Sequence, residues 1–316
     1  MKKMISESFL RPLVLDGGLS NVLEEMGCPL DPLLWTAGLL ASHPRKLVRA
    51  HRQYLRAGAD VITTAGYQAS LPGFLRAGRS SQEGRALLVK AVEIAREARS
   101  RFYEEEGGHE RPRFIAAGMG PYGAYLADGS EYTGIYHVGN GSLKEFHQPR
   151  LELLAATDAD LLLFETMPSL RELEVVGGLL DTVEGSPVMV SLCCQDDSHL
   201  RDGESVSEAL AILRELRAVV AVGVNCLAPE HVTGLIALMR AEAPEKKIAV
   251  YPNSGEVYQA KTKSWLGLSN PVNFGTMARE WIEAGAGLVG GCCRIGPTHI
   301  GAIRRAVDGL DTTHPG

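Results

Sequence analysis

Two cysteine groups carry side chains that could bind a metal ion. Adjacent thiols occur in GGCCR, at Cys292 and Cys293, and a single thiol occurs in GVNCLA, at Cys226. Neighbouring side chains of a strand point to opposite faces, but two glycines before Cys292 can bend the chain so that both sulfurs point one way. Three thiolates leave one position of a tetrahedral zinc ion open, as in catalytic zinc sites. We therefore predict catalytic Zn²⁺ held by Cys226, Cys292 and Cys293.

The other cysteines allow different interpretations. A free cysteine is often buried as a small apolar side chain, and we interpret Cys28 in this way. Cys193 and Cys194 end the apolar run before that of Cys226, so one of them could supply a fourth thiolate and close the site. A closed four-cysteine zinc site would be structural. No Gly–Gly bend precedes this pair, and at most one of its side chains faces inward, but the alternative stays open.

Composition and charge exclude several classes of protein. The 316 residues suit one large domain or two small ones, and 45% hydrophobic with 22% charged residues is typical of a soluble globular chain. A net charge of −6 with scattered basic residues argues against a nucleic-acid partner. No apolar run approaches the roughly 18 residues of a membrane span, and the polar residues 6–8 argue against a secretory signal.

The use of cysteine also bears on where the protein works. Two adjacent pairs among six cysteines do not resemble a disulfide framework, and they favour a reduced, cytoplasmic protein that uses thiolates for chemistry. We expect small-molecule substrates and a monomer or small homo-oligomer.

Eight apolar runs alternate with helical patterns along the chain. Near-continuous hydrophobic runs bounded by turn residues indicate a parallel sheet buried on both faces. Eight such units predict a single α/β domain over residues 1–316, a (β/α)₈ TIM barrel. An open doubly wound sheet has less support, because DGGLSN does not match the G-x-G-x-x-G pattern after the first run. The runs are 13–18, 59–67, 114–123, 159–166, 187–194, 219–226, 247–255 and 286–293, and the helical stretches are 44–57, 80–106, 143–157, 169–183, 206–216, 230–241, 273–284 and 297–307.

In such a barrel the active site lies at the carboxyl ends of the strands. Asp16 and Glu165 stand at two of these ends, and two carboxylates on one face are a plausible receptor for a substrate ammonium group. The backbone N–H groups of Gly17 and Gly18 could hold a substrate carboxylate. The segment 122–140 contains four tyrosines, and a loop of this length usually belongs to a site.

Six segments, in this order, resemble the homocysteine S-methyltransferases: DGGLSNVLEEMG, GPYGAYLADGSEY, LLLFETMPSLRE, GVNCLAPE, YPNSGEVY and GGCCRIGPTHI. The similarity runs from about residue 13 to 303, and the second and fifth segments look most like the enzymes that use S-methylmethionine. The resemblance implies a barrel with zinc on the three cysteines named above. It also implies homocysteine recognition by Asp16 and Glu165, and it matches Asn225 to the family's GxNC element, as a further substrate-binding residue. Two departures are LSN after DGG, and SLCCQDD with its extra cysteines.

The residues and the resemblance together predict a reaction. Zinc would present the homocysteine sulfur as a thiolate, which takes a methyl group from a sulfonium donor, S-methylmethionine or S-adenosylmethionine, and gives methionine. No general base is needed, and no histidine pair has ligand spacing; His147 is interpreted as a surface residue. Tyr122 and Tyr125 are candidates to line the binding site of the positively charged methyl donor. Trp265 could belong to a lid.

Three alternatives remain at this point. One is a betaine-type methyl donor. Another is a metal-dependent hydrolase, although barrels of that kind use histidine and carboxylate ligands. The last is a non-catalytic zinc- or thiol-binding barrel.

Overall fold

Eight parallel strands form a barrel whose helices lie outside. The computed structural model describes residues 11–180, 183, 185–255, 257–259, 264–266 and 270–311. The barrel strands are β1 (Leu13–Val14), β2 (Val61–Thr63), β3 (Phe114–Met119), β4 (Leu161–Met167), β5 (Val188–Leu192), β6 (Val219–Asn225), β7 (Lys247–Tyr251) and β10 (Leu288–Val289). They pair in the order β1-β10-β7-β6-β5-β4-β3-β2, and a parallel bridge between Leu15 and Val61 joins the two ends. The predicted (β/α)₈ fold is therefore confirmed.

The described helices are α1 (Leu19–Glu25), α2 (Leu39–Ser42), α3 (Pro44–Ala57), α4 (Leu71–Arg76), α5 (Ser81–Glu106), α6 (Tyr122–Leu126), α7 (Asn140–Ala155), α8 (Leu170–Leu180), α9 (Val206–Glu215), α10 (Val232–Glu242), α11 (Pro271–Ala284) and α12 (Pro297–Asp311). Eight of them follow the predicted stretches closely, whereas the short helices α1, α2, α4 and α6 were not among those stretches. Pro44 starts α3, and Gly58 ends it with φ 103°, a left-handed value that favours glycine. A capping box between Ser80 and Glu83 starts α5.

Alternation along the strands divides the core into two layers. One set of strand residues packs against the helices in a large outer cluster. A smaller cluster comes from the strands and their immediate ends and fills the inside of the barrel. The barrel is therefore a packed core, and open space for a ligand has to lie at its carboxyl end. The inner cluster consists of Leu13, Leu15, Val61, Phe114, Ala116, Leu161, Leu163, Met189, Ala221, Ala249, Tyr251 and Leu288.

Two features differ from the sequence-based expectation or extend it. An antiparallel hairpin, β8 (Val257–Gln259) with β9 (Ser264–Leu266), follows β7 where a polar segment was expected. The Trp265 side chain lies outside the described residues, and the assignment of all of 1–316 to one domain stays a prediction. The tyrosine-rich segment contains α6 and a 3₁₀ turn at Ser130–Tyr132. In the part of the chain that is described, no helix has the length and apolar character needed to cross a membrane.

Candidate metal centre and active site

Three thiols meet at the carboxyl end of the barrel. The Sγ atoms of Cys226, Cys292 and Cys293 all lie within 4.8 Å of one another, the one such group of potential metal ligands among the described residues. Zinc–thiolate bonds of about 2.3 Å in a tetrahedron would place the sulfurs about 3.8 Å apart, so the cluster is close to the required size. The three sulfurs predicted from separate segments are brought together.

Cys292 and Cys293 lie in a turn beyond the end of β10 rather than in the strand itself. The Cys293 N–H donates to Asn253 Oδ1 (3.2 Å), which anchors this turn to the end of β7. A Cβ atom at Gly291 would lie 2.2 Å from the Ile295 side chain, so glycine is needed for the chain to turn back this closely. Both sulfurs share a side because the turn interrupts the strand's alternation, as the two glycines predicted.

Cys226 follows the last residue of β6 and has a left-handed backbone, with φ 54°. Asn225, just before it, is fully buried, and its side chain connects three strands. Asn225 Oδ1 accepts hydrogen bonds from the Thr166 N–H (2.9 Å) and the Ser191 hydroxyl (2.7 Å), and its Nδ2 donates to Thr166 Oγ1 (2.8 Å). Asn225 therefore positions Cys226 and Thr166, and its role as a substrate-binding residue stays a prediction.

Contact between the three thiols shifts their pKa values in opposite directions. Hydrogen bonds from Cys226 and Cys292 hold the pKa of the Cys293 thiol well below its usual range. Hydrogen bonds to Cys292 and Cys293, together with burial, raise the pKa of Cys226. Cysteine binds a metal ion as the thiolate, so metal binding at this cluster would release protons.

Cys193 and Cys194 do not join the cluster. Both are buried, at 0% and 1% exposure, and neither belongs to the three-sulfur group. Burial raises the pKa of Cys193 to about 11, so its thiol stays protonated at neutral pH. Within the described residues, the closed four-cysteine alternative therefore has no fourth ligand. Cys28 is buried in the outer core cluster, as predicted.

Asp16 and Glu165 both line the cavity next to the thiols. Burial raises the pKa of Asp16 to about 7, although the Thr63 N–H donates to its Oδ2 (2.8 Å). Burial also raises the pKa of Glu165, and the nearby Cys292 and Asp16 charges raise it further. These carboxylates and the thiols are thus close enough to repel one another as anions. A cation between them would relieve that repulsion.

Gly17 and Gly18 form the wall beside Asp16. A Cβ atom at Gly17 would lie 2.2 Å from the Ile295 carbonyl oxygen, so the two loops can approach only with glycine here. The Gly18 N–H donates to that same carbonyl (2.9 Å), and the Tyr54 hydroxyl donates to Gly18 O (2.7 Å). The Gly18 N–H is therefore not free to hold a substrate carboxylate, which corrects that part of the prediction.

Aromatic side chains form another wall of the cavity: Trp35, Tyr67, Tyr132 and Tyr251. The Trp35 and Tyr67 rings meet edge to face, with centroids 5.9 Å apart. The prediction that Tyr122 and Tyr125 line the donor site is wrong. Their rings pack against each other (5.5 Å) and against Phe146, away from the cavity lining.

The tyrosine segment rests on a buried polar network. The Tyr122 N–H donates to Glu172 Oε1 (2.6 Å), which also contacts His147 Nε2 (2.6 Å). Arg150 donates to His147 Nδ1 (2.8 Å) and to the Gly120 carbonyl. His147 is completely buried, contrary to its interpretation as a surface residue, and burial lowers its pKa to about 4, so it is neutral. This network supports the segment that brings Tyr132 to the cavity.

The cavity has a marked charge preference. Its described lining contains Asp16, Glu165 and three thiols but no Lys, Arg or His. Acidic groups beside aromatic faces suit a cationic ligand.

Comparison with known proteins agrees with this geometry. The family model for homocysteine S-methyltransferases matches residues 13–307. The homocysteine S-methyltransferase YbgG of Bacillus subtilis (strain 168) is 41% identical over 303 residues, 95% of this chain and 96% of that protein. Homocysteine S-methyltransferase 1 of Zea mays is 40% identical over 305 residues, 94% of each. This chain belongs to the homocysteine S-methyltransferase family. It is therefore an enzyme, which excludes the non-catalytic barrel.

A solved structure extends the likeness to three dimensions. The metallated form of the homocysteine methyltransferase MmuM from Escherichia coli has a TM-score of 0.86 with this chain, at 35% identity, covering 96% of this chain and 99% of that one. A member of the family thus carries metal on the same fold.

Several site residues had no role in the sequence-based prediction. Tyr67 and Thr166 are the last residues of the predicted apolar runs 59–67 and 159–166, and this position is the sequence feature that could have identified both. Tyr251 is the last residue of β7, where it looks like core. Trp35 reaches the cavity from a loop with φ 47°, for which the sequence holds no periodic signal.

The raised pKa of Asp16 predicts how stability depends on pH. In the unfolded chain an Asp titrates near pH 4, and in the folded, metal-free protein Asp16 titrates at about 7. The folded state therefore holds this proton more tightly, and stability falls as pH rises from about 4 to about 7. Asp16→Asn has no carboxyl group at this position, so its unfolding free energy should not fall in this way. We expect the metal-free variant to exceed the wild type in unfolding free energy at pH 8 by about 2–4 kcal/mol.

The measurement is urea unfolding of both chains in a chelator at pH 5 and pH 8. The advantage of Asp16→Asn should shrink at pH 5, where the wild-type carboxyl is protonated in the folded state. An advantage of equal size at both pH values, or a less stable variant at pH 8, would contradict the assignment.

Proposed function

We propose that this enzyme transfers a methyl group from a sulfonium donor to the thiol of homocysteine, with zinc held by Cys226, Cys292 and Cys293. The observation that carries the proposal is the three-sulfur cluster on the wall of a cavity that also presents Asp16 and Glu165. The soft donor set suits zinc, and three ligands leave a position for the substrate sulfur. When bound, zinc would keep that sulfur as a thiolate at neutral pH.

Different walls of the cavity bind different groups of homocysteine. Asp16 and Glu165 receive its ammonium group, which supplies the cation that these crowded carboxylates require. The Gly17 N–H is the proposed donor to its carboxylate, together with the first turn of α1, which lines the cavity through Leu19 and Ser20. This placement directs the substrate thiol toward the cysteine cluster.

The aromatic wall is the proposed site of the methyl donor. A ring face of Trp35 or Tyr67 would attract a sulfonium, and no cationic side chain of the described lining repels it. We propose S-methylmethionine as this donor. S-adenosylmethionine and betaine are the alternatives that a parallel assay separates.

The transfer step needs no general base from the protein. A lone pair of the homocysteine thiolate forms a bond to the methyl carbon. The bond between that carbon and the donor sulfur breaks, and its electron pair stays on the donor sulfur. The sulfonium becomes a neutral thioether, so S-methylmethionine and homocysteine give two molecules of methionine, and the thiol proton of homocysteine, lost when its thiolate forms, goes to solvent. The absence of His from the described lining is consistent with this chemistry.

Loss of one cluster thiol should remove both zinc and activity. We expect about one zinc per wild-type chain. In Cys292→Ala, zinc affinity and the rate of methionine formation should each fall by more than about 100-fold, which exceeds the loss caused by changing a residue that only hydrogen-bonds to a metal ligand. Cys28→Ala is the matched control, because Cys28 is a buried cysteine outside the cluster. It should keep both zinc and activity. Retention of both by Cys292→Ala would refute the proposal.

The aromatic wall should affect the donor more than the acceptor. Trp35→Leu keeps apolar contact but loses the π face, so KM for S-methylmethionine should rise about 3- to 30-fold, the range of a cation–π contact. The KM of Trp35→Phe for S-methylmethionine should lie between those of the wild type and Trp35→Leu. KM for homocysteine should change little in either variant. An unchanged donor KM in Trp35→Leu would show that the sulfonium binds elsewhere.

A further inference from the structure

Thr166 stands between the ammonium receptor and the metal cluster and has an unusual backbone. It follows Glu165 directly, lies in β4 and has φ 64°. A β-branched residue in the left-handed region is a true outlier with a strained backbone. Glycine would adopt this backbone without strain. The side chain of Thr166 therefore needs a reason to be present.

Hydrogen bonds determine the direction of the Thr166 hydroxyl. The Thr166 N–H and the Ser191 hydroxyl both donate to Asn225 Oδ1, which identifies the other amide atom as Nδ2. Nδ2 donates to Thr166 Oγ1 (2.8 Å), so this oxygen is already an acceptor and its own proton is available to another group. The Tyr67 hydroxyl competes with Cys226 for this proton, since a hydrogen bond from Thr166 acts to lower the pKa of Tyr67. Cys226 Sγ lies 4.0 Å from Thr166 Oγ1, within reach of a hydrogen bond to sulfur.

We propose that Thr166 is a positioning residue that donates a hydrogen bond to the Cys226 thiolate and makes it a poorer methyl acceptor than the substrate sulfur. This inference rests on the proposed function, in which Cys226 binds zinc. It adds a way for the enzyme to discriminate between its own thiolates and that of the substrate.

The need for such discrimination follows from the chemistry. Cys226, Cys292 and Cys293 all line the same cavity as the aromatic wall, so a bound methyl donor faces protein thiolates as well as homocysteine. Methylation of Cys226 would convert a thiolate ligand into a neutral thioether and inactivate the site. A hydrogen bond withdraws electron density from a sulfur anion and lowers its nucleophilicity.

The test compares four variants that are loaded with zinc and kept free of homocysteine. Thr166→Val keeps the shape and removes the hydroxyl, while Thr166→Ser keeps the hydroxyl. Thr166→Gly removes the hydroxyl but relieves the backbone strain, which keeps the test valid if the valine variant folds poorly. Thr64→Val is the matched control, because Thr64 lines the same cavity and its hydroxyl oxygen accepts from the Gly118 N–H (3.1 Å).

Iodomethane is the probe, and peptide mass spectrometry locates the added methyl group. The Cys226 thiolate attacks the methyl carbon, the carbon–iodine bond breaks and iodide leaves. The valine and glycine variants should methylate Cys226 about tenfold faster than wild type, as expected for loss of one hydrogen bond to a charged group. Their zinc affinity should fall by about tenfold or more. The serine variant and Thr64→Val should stay within about twofold of wild type in both measurements.

The outcomes separate this inference from the proposed function. If the wild type binds zinc but the valine and glycine variants match it in Cys226 methylation, the role of Thr166 is refuted and the proposed function stands. If the wild type binds no zinc, both fail. If the serine variant behaves like valine, the methyl group rather than the hydroxyl matters, and the inference is wrong.

Discussion

The structure gathers negative charge at one end of the barrel, and this repulsion is the constraint on which the site depends. Two carboxylates, Asp16 and Glu165, line one cavity with three thiols, and burial raises the pKa of both carboxyl groups. Such a cluster is costly as a set of anions and becomes favourable when cations enter. The cavity is therefore complementary to cationic ligands, which is the property that the proposed metal, substrate and methyl donor share.

Close backbone contacts and hydrogen bonds hold the carboxylates and thiols at this end of the barrel. The turn after β10 approaches the Asp16 loop closely through Gly17 and Gly291, and the Asn225 side chain ties β4, β5 and β6 together beneath Cys226. Thr166 and Cys226 both have left-handed backbones at the carboxyl ends of their strands. Strain at these two positions is held by the surrounding hydrogen bonds, as is usual at functional sites.

The fold and the meeting of the three cysteines could be predicted because their signals are local. Buried parallel strands are continuous apolar runs, and a Gly–Gly bend explains how Cys292 and Cys293 face one way. The aromatic wall could not be predicted from tyrosine count alone. Tyr122 and Tyr125 lie in the segment with the most tyrosines but pack on Phe146. Trp35, by contrast, reaches the cavity from a loop that is distant in sequence. Such choices depend on packing between segments that are far apart in sequence.

The same limit applies to buried polar residues. His147 sits in a helix whose pattern looks partly polar, yet its hydrogen bonds to Glu172 and Arg150 make it part of the interior. Asn225 is matched to a substrate-binding role by the family's GxNC element, and in the structure its side chain bonds to Thr166 and Ser191. Whether a polar side chain faces the cavity or supports it depends on partners that only the folded chain reveals.

Zinc K-edge X-ray absorption of the protein, before and after addition of homocysteine, shows directly whether three cysteines hold zinc with one position open to the substrate sulfur. Before addition we expect three sulfur neighbours at about 2.3 Å and one lighter atom at about 2.0–2.2 Å. After addition we expect four sulfur neighbours. Fewer than three sulfurs in the resting protein, or a sulfur count that homocysteine does not change, would contradict it.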